Sequence, residues 1–489
     1  MSGSDLDEKQ PSQLHLLLAR ADTLEPVLPD GVPVIVAQRP PKPARDEGGR
    51  LERPDADPNE LSQQRWGVVA VEGSDGDALL AAIDPLREHR RRQQGADVTV
   101  YRVPAGQDPQ QAVTWKRTVY LAERVPAEER PKYLLLLGDL PQVSLELQQV
   151  LAHSAYVGRL HIGAPGGPAS PKAYRAYAEK VVAAETGAVA SPDPDVLMYC
   201  ARRRNDVATG LANAFLVTPC AEAVETRWKR RRPGLRLELG GSDARSGRDA
   251  LLALGNRTRP AVLLSVSHGL GKPLPDSALD RRAVQGSLVL PNDELFSAEV
   301  LRDAPFLPGG MWFCFACFGA AVPRRSEYRA WLEVLEKQGA YRGQTRALLQ
   351  QLPGPGEAPF VSALPQAALA NPRGPLAVFG HADLAWNYSF MQGDGSPASA
   401  ASRILGLLEV LANGSRAGVA LDVLMRAYRE ANDALTTAYA LIRDAEDEGN
   451  PSPIDPVALA HLWMLRNDLR GYLLLGDPAA RLGVEPVAR

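Results

Sequence analysis

From Trp66 to Gly380 the chain alternates short, unbroken apolar runs with stretches whose apolar residues recur at helical spacing. WGVVAV (66–71), DVTVYRV (97–103), YLLLL (133–137), AYVGRL (155–160), DVLMYC (195–200), AVLLSVS (261–267), MWFCFA (311–316) and LAVFG (376–380) each read as a strand. Strands buried on both faces give continuous apolar runs, whereas half-exposed strands alternate. Between them, Leu79, Leu80, Ile83 and Leu86 share one face of a helix from Asp77 to about Gln93, and a second helix covers Gln111 to Glu123. A third helix is bracketed by Ser170 as N-cap, Pro171 at the first helical position and Gly187 at its stop. Strands separated by helices pair in parallel through right-handed crossovers, which predicts a doubly wound α/β sheet. From about Ser396 the chain turns mainly helical, with Leu421, Leu424, Met425, Tyr428, Leu435 and Ile442 on one buried face.

Residues 1–62 lack this periodicity. Within them QRPPKPARDEGGRLERPDADPNE (38–60) is rich in Pro, Arg, Asp and Gly and reads as a tether. The pattern then divides into 63–190, an N-terminal α/β unit; 191–395, a second α/β unit; and 396–489, a helical portion that ends in a further strand. The 489 residues are 45% hydrophobic and 23% charged with a net charge of −3, which is ordinary globular composition. Chains that bind nucleic acid usually carry a basic excess. The basic clusters Arg202–Arg204 and Lys229–Arg232 have no aromatic platform and read as solvated faces, so no nucleic-acid partner is expected. No apolar run approaches the roughly 18–20 residues that span a bilayer, so no membrane partner is expected either. The opening MSGSDLDEKQPSQ lacks a secretory pattern, and four cysteines are too few for a disulfide framework. A cytoplasmic protein with reduced thiols is the expectation, and heavy use of Ala, Arg, Gly and Pro suggests a bacterial source.

Two of the buried strands run straight into reactive side chains. AVLLSVS leads into His268-Gly269, and MWFCFA into Cys317-Phe318-Gly319. Ligands of open α/β sheets bind beyond the carboxyl ends of the strands, so neighbouring strands would set an imidazole and a thiol at one rim. Such a pair performs nucleophilic catalysis: the ring takes the thiol proton, the thiolate attacks a carbonyl, and the imidazolium protonates the leaving amine. The backbone N–H groups of Gly269 and Cys317 are the candidate oxyanion donors.

At Ala316-Cys317-Phe318-Gly319, with His268 lying 49 residues upstream, the chain resembles the caspase–gingipain–legumain class of cysteine peptidases. Caspases carry Q-A-C-x-G with a histidine about 50 residues upstream; here Phe315 stands at the glutamine position. YLLLLGD (133–139) followed by AYVGRL and a helix, LAVFGHADLAWNYSF (376–390) and the terminal YLLLGDPAARL (472–482) are similar to bacterial gingipain-type and caspase-like proteins. The resemblance covers residues 66–482. It implies a caspase-like α/β/α sandwich with a mainly parallel central sheet and a helical C-terminal portion. It further implies cofactor-free hydrolysis of a protein or peptide substrate; activation within a bacterial signalling or defence system by a protein partner is a separate expectation. In the resembled class the segment holding Asp383 and Trp386 walls the specificity pocket, where an acidic floor would favour Arg or Lys. Glu146 and Gln148 are further pocket candidates. Asp139, at a strand end, either orients His268, lines that pocket or caps the next turn.

Blander readings stand beside these. Cys317 alone is compatible with a buried hydrophobe, and His268 with a structural histidine. A relative that keeps the fold as a non-catalytic scaffold is the alternative function, and thioester transfer to an amine a third. Cys314 and Cys317 form C-x-x-C, yet residues three apart on a strand face opposite ways and no second pair completes a site, so no metal is expected. Gly271-Lys272 fails the phosphate-loop pattern, with Val266 and Pro273 at its outer positions. The stretch Leu270–Gly310 reads as an active-site loop that is ordered or cut on activation, and the N-terminal tether as a processing site.

Overall fold

The apolar runs form strands, and the strands form one sheet. A computed structural model describes residues 13–33, 56–165, 167–187, 192–241, 246–274, 277–339, 341–392 and 398–485. Ten strands lie in the main sheet: β1 (Trp66–Val71), β2 (Thr99–Val103), β3 (Tyr133–Leu137), β4 (Tyr156–Leu160), β5 (Asp195–Cys200), β6 (Arg236–Gly240), β7 (Ala261–Val266), β8 (Met311–Phe315), β9 (Ala377–His381) and β10 (Tyr472–Gly476). Their spatial order is β2-β1-β3-β4-β10-β9-β8-β7-β5-β6. Only β6 has no counterpart in the apolar pattern. It is a partly exposed edge strand, and RLELG alternates where the buried strands do not.

Within this sheet every pairing is parallel except one. β10 runs parallel to β4 but antiparallel to β9, with Ala377 opposite Gly476 and His381 opposite Tyr472. The sheet is therefore two parallel blocks that point in opposite directions across a single seam. Strands β1–β4 of the first α/β unit, with β10, make one block; β5–β9 of the second make the other.

Alternate side chains serve the two faces. Val68, Ala70, Leu135 and Leu137 join one core with Tyr174, Tyr177 and Val181 of the helix Pro171–Thr186. Val69, Leu134 and Leu136 join another with Ala112, Trp115 and Leu147 from helices Pro109–Trp115 and Leu145–Leu151. Helices on both faces give a three-layer α/β/α sandwich with a mainly parallel sheet. The C-terminal portion adds helices Ser402–Ala412, Ala417–Asp447 and Pro456–Arg470 before β10.

Local signals act as their chemistry dictates. Ser170 Oγ accepts from Ala173 N at 3.3 Å, and Gly187 ends that helix. The single helix expected from Asp77 to Gln93 is two, Ser74–Ala82 and Asp84–Gln94, because Pro85 cannot donate into a continuing ladder. The helical run Val207–Arg231 is long and apolar enough to cross a bilayer, contrary to the sequence estimate, and half of its apolar window is buried within the protein. Most of the expected tether at 38–60 lies outside the described residues. Residues 13–33, which also lack periodicity, are well packed: Leu14, Leu16, Leu17 and Leu18 are all buried.

One buried ion network closes the first block. Arg90 donates to Glu185 at 2.6 and 2.7 Å and to Asp477 at 2.9 and 2.6 Å. Trp66 Nε1 donates to the other Asp477 oxygen at 2.9 Å, and Asp477 N donates to Tyr177 Oη at 2.7 Å. The Gly-Asp-Pro turn after β10 is thereby locked to β1 and two helices. Asp477→Ala leaves the Arg90 charge with one carboxylate instead of two, at an expected cost of about 3–5 kcal/mol in urea unfolding. A loss of only about 0–1 kcal/mol, as for an exposed pair, would show that the network contributes little.

Candidate active site

β7 and β8 pair in parallel register from Val262 opposite Met311 to Val266 opposite Phe315. His268 and Cys317 each stand two residues past that last pair. Ser267 N extends the ladder by donating to Phe315 O at 3.1 Å. At the next step the backbones nearly touch: a Cβ on Gly269 would lie 1.9 Å from Cys317 O, so no other residue fits there without moving the cysteine. Phe318 follows with φ of +56°, a left-handed conformation that costs energy for a bulky residue. It is held by Phe318 N donating to Asp383 O at 3.0 Å and Ser362 Oγ donating to Phe318 O at 2.5 Å.

The His268 ring is fixed from behind. Its Nε2 lies 2.8 Å from Asp206 Oδ2, while its Nδ1 is buried and makes no hydrogen bond among the described residues. Asp206 follows β5 and caps the helix Val207–Ala212, accepting from Ala208 N at 3.2 Å and from Thr209 Oγ1 at 2.7 Å. Burial acts to raise the Asp206 pKa. The hydrogen bond and charge of His268, with the Thr209 and Ala208 donors, outweigh burial and hold the carboxyl below its usual value.

Of the three roles open to Asp139, orienting His268, lining a pocket or capping the next turn, the first is occupied by Asp206. The neighbouring strand β5 carries the signal: an Asp at a helix N-cap position just past a strand end. Asp139 instead accepts from Leu140 N at 2.8 Å and Val361 N at 2.7 Å. β3 lies across the antiparallel seam from β8. Glu146 and Gln148 belong to the helix that follows, and Gln148 Oε1 accepts from buried Arg159 at 2.8 Å. Among the described residues no hydrogen bond joins Asp139, Glu146 or Gln148 to His268 or Cys317; Asp139 meets the cysteine turn only indirectly, since Val361 precedes Ser362, which donates to Phe318 O.

The Cys317 sulfur accepts from Ala385 N at 3.2 Å and lies 3.7 Å from Ala385 O. It is fully buried, and burial pushes its pKa well above the ordinary thiol value, with the charges of Asp383 and Asp468 acting the same way. Cys314 is likewise buried in the core, its thiol pushed up to about 12 by burial.

What buries Cys317 is the chain's own N-terminal segment. Gly269 N donates to Leu17 O at 2.9 Å and Cys317 N donates to the same oxygen at 3.3 Å. Leu17 N donates to Ala385 O at 3.4 Å, and Leu16 bridges Trp386 in antiparallel fashion. Beyond Leu17, Leu18 and Ala19 pair in parallel with Gly269 and Leu270, and Gly271 N donates to Ala19 O at 2.6 Å.

Trp386 thus walls the groove through its backbone. Its N–H is fixed to Asp468 Oδ1 at 2.8 Å, and its ring packs on Tyr328 and Trp331. Asp383 does not supply the acidic floor expected of it. Its carboxylate accepts from Leu384 N at 2.8 Å and Glu327 N at 2.9 Å, and burial raises its pKa to about 7.

No family model matches the sequence, and no curated protein matches it. Among solved structures, the Arg-specific cysteine proteinase gingipain R aligns with a TM-score of 0.47 and 11% identity, over 86% of this chain and 78% of that chain. A periplasmic sugar-binding protein from Pseudomonas fluorescens aligns at 0.14 and 11%, over 58% and 77%. An extracellular ligand-binding receptor from Rhodopseudomonas palustris aligns at 0.17 and 14%, over 85% and 98%. At these values the reading of the site rests on its own geometry.

Because the folded Asp206 pKa is depressed, its contribution to stability is present above the unfolded value near 3.8 and is lost as pH falls through the lower folded value. Asp206→Asn removes that contribution. The Tm difference between wild type and variant, measured from pH 7 downward, is expected to hold at neutral pH and to shrink below about pH 4. A difference that stays constant through that range would sever Asp206 from the linkage.

Proposed function

We propose that the chain is a cysteine endopeptidase in which Cys317 is the nucleophile and His268 the general acid and base. The observation that carries this reading is the convergence of two N–H groups, from Gly269 and Cys317, on one peptide carbonyl oxygen beside the cysteine sulfur. Donors aimed at one oxygen next to a nucleophile suit the charge that develops when a carbonyl becomes tetrahedral.

In the first half of the reaction His268 Nδ1 takes the thiol proton and the sulfur bonds to the carbonyl carbon. The C–N bond then breaks, and the imidazolium gives its proton to the departing amine. In the second half His268 deprotonates a water, whose oxygen attacks the thioester carbon. The C–S bond breaks, the acid product leaves, and the proton returns to the sulfur. Peptide and water are the only reactants. Asp206 is a positioning residue: bound to Nε2, it turns Nδ1 away from itself and stabilises the imidazolium. Action in a bacterial cytoplasm, under a protein activator, completes the proposal.

The full burial of Cys317, which pushes its thiol pKa well above the ordinary value, favours a second reading, a scaffold that retains the pair without turnover. The two are separated in a full-length background carrying Leu16→Asp and Leu17→Asp, which places charge where the strand is buried and displaces it. There the peptidase reading expects hydrolysis of a mixed peptide library and one-to-one labelling of Cys317 by a peptidyl acyloxymethyl ketone. Cys317→Ala and His268→Ala should abolish turnover, and Asp206→Asn should lower kcat by up to about 10⁴-fold. Neither hydrolysis nor labelling in that background leaves the scaffold.

A further inference from the structure

We infer that residues 13–19 are a built-in pseudo-substrate, which keeps the full chain latent and whose Leu17 marks the groove as one for aliphatic residues on the acyl side of the cut bond. This rests on the peptidase reading and extends it to substrate class and regulation.

The segment lies as a substrate strand must. A peptide about to be cut has to present one carbonyl to the oxyanion donors, and Leu17 does so to both at once. On the amino side of that carbonyl the strand pairs antiparallel with the wall, through Leu16 to Trp386 and Leu17 N to Ala385 O. On the carboxyl side it pairs with the strand that carries the site, Leu18 beside Gly269 and Ala19 beside Leu270. Main-chain bonds of this kind give affinity that any sequence can use, and side-chain pockets give the selection. Here the selected side chains are Leu14, Leu16, Leu17 and Leu18, all buried and continuous with the main core. The nearby acids are already engaged: Asp383 by two backbone N–H groups, Asp468 by the N–H groups of Trp386 and Ser389, and Asp206 by His268.

The occupant is tied in from its far side as well. Gln13 and Leu14 pair with Pro33 and Val32, and Val27 N donates to Leu18 O at 2.9 Å. His15 approaches Asp206 closely enough for that carboxylate to favour its charged form, although burial dominates and lowers its pKa. Because the occupant belongs to the same chain, it competes at an effective concentration on the order of millimolar, above that of most peptides in trans. A free site therefore requires the strand to leave.

The test uses the full chain throughout. Peptides varied at the acyl-side residue are offered to wild type and to the Leu16→Asp/Leu17→Asp chain. A second variant, Leu17→Gly/Leu18→Gly, weakens the strand without burying charge. Expected are a rise in kcat/KM of at least tenfold for either variant, a preference of at least tenfold for Leu or Met over Arg and Asp, and inhibition of the variants by the synthetic heptapeptide QLHLLLA. Equal activity of wild type and both variants overturns the latency, and a preference for Arg, Lys or Asp overturns the pocket assignment; both leave the peptidase standing. Failure of the acyloxymethyl ketone to label Cys317 in either variant is the separate signature that the peptidase reading itself has failed.

Discussion

The site depends on how closely two backbones can approach where β7 and β8 end. Parallel pairing sets His268 and Cys317 at the same step, but pairing alone would leave their turns a strand spacing apart. The missing side chain at Gly269 allows that turn to rest on the carbonyl of Cys317. The contact aims the amides of residues 269 and 317 at a common point, and the left-handed Phe318 turns the chain away immediately afterwards. Strain at that one residue is held by bonds from Ser362 and to Asp383.

The same closeness makes the site easy to silence. A donor pair aimed at empty space would be two unsatisfied amides, and burying such groups costs about 1–3 kcal/mol each. A resident carbonyl satisfies both. Four buried leucines add roughly 1.5–3 kcal/mol apiece, and ordering seven residues of backbone opposes this by about 1–2 kcal/mol each. These sums nearly cancel, as suits a strand that holds by virtue of its tether and yields to competition. The same strand lies over the cysteine turn, with Leu17 O bound to Cys317 N.

Much of the architecture is legible in the sequence because buried strands are written as unbroken apolar runs. Eight of the ten strands follow from those runs, and β10 from the terminal YLLLG. The His–Cys pair is legible for the same reason, since each residue directly follows a strand. Two things are not. The antiparallel seam between β9 and β10 joins residues far apart in the chain, and apolar runs carry no direction. The groove's occupant is written as LHLLLA, a run too short and too isolated from helical or strand partners to show periodicity, so its burial arises wholly from tertiary pairing. Asp206 lies between these cases. Its capping pattern is visible, but its link to His268 requires knowing that β5 sits beside β7.

The seam also decides what can stand alone. β10 is the last strand among the described residues, yet it lies inside the sheet, between β4 and β9. Its Tyr472 packs against Phe313 and Phe315 of β8 and the His381 ring of β9, directly beneath the cysteine turn. The helix just before it supplies Asp468, which fixes Trp386 and Ser389 in the groove wall. The block carrying His268 and Cys317 therefore lacks both its inner edge and one wall of its groove until the final residues are in place. The boundaries near residues 190 and 395 thus mark units of sequence pattern, and the sheet runs across both of them.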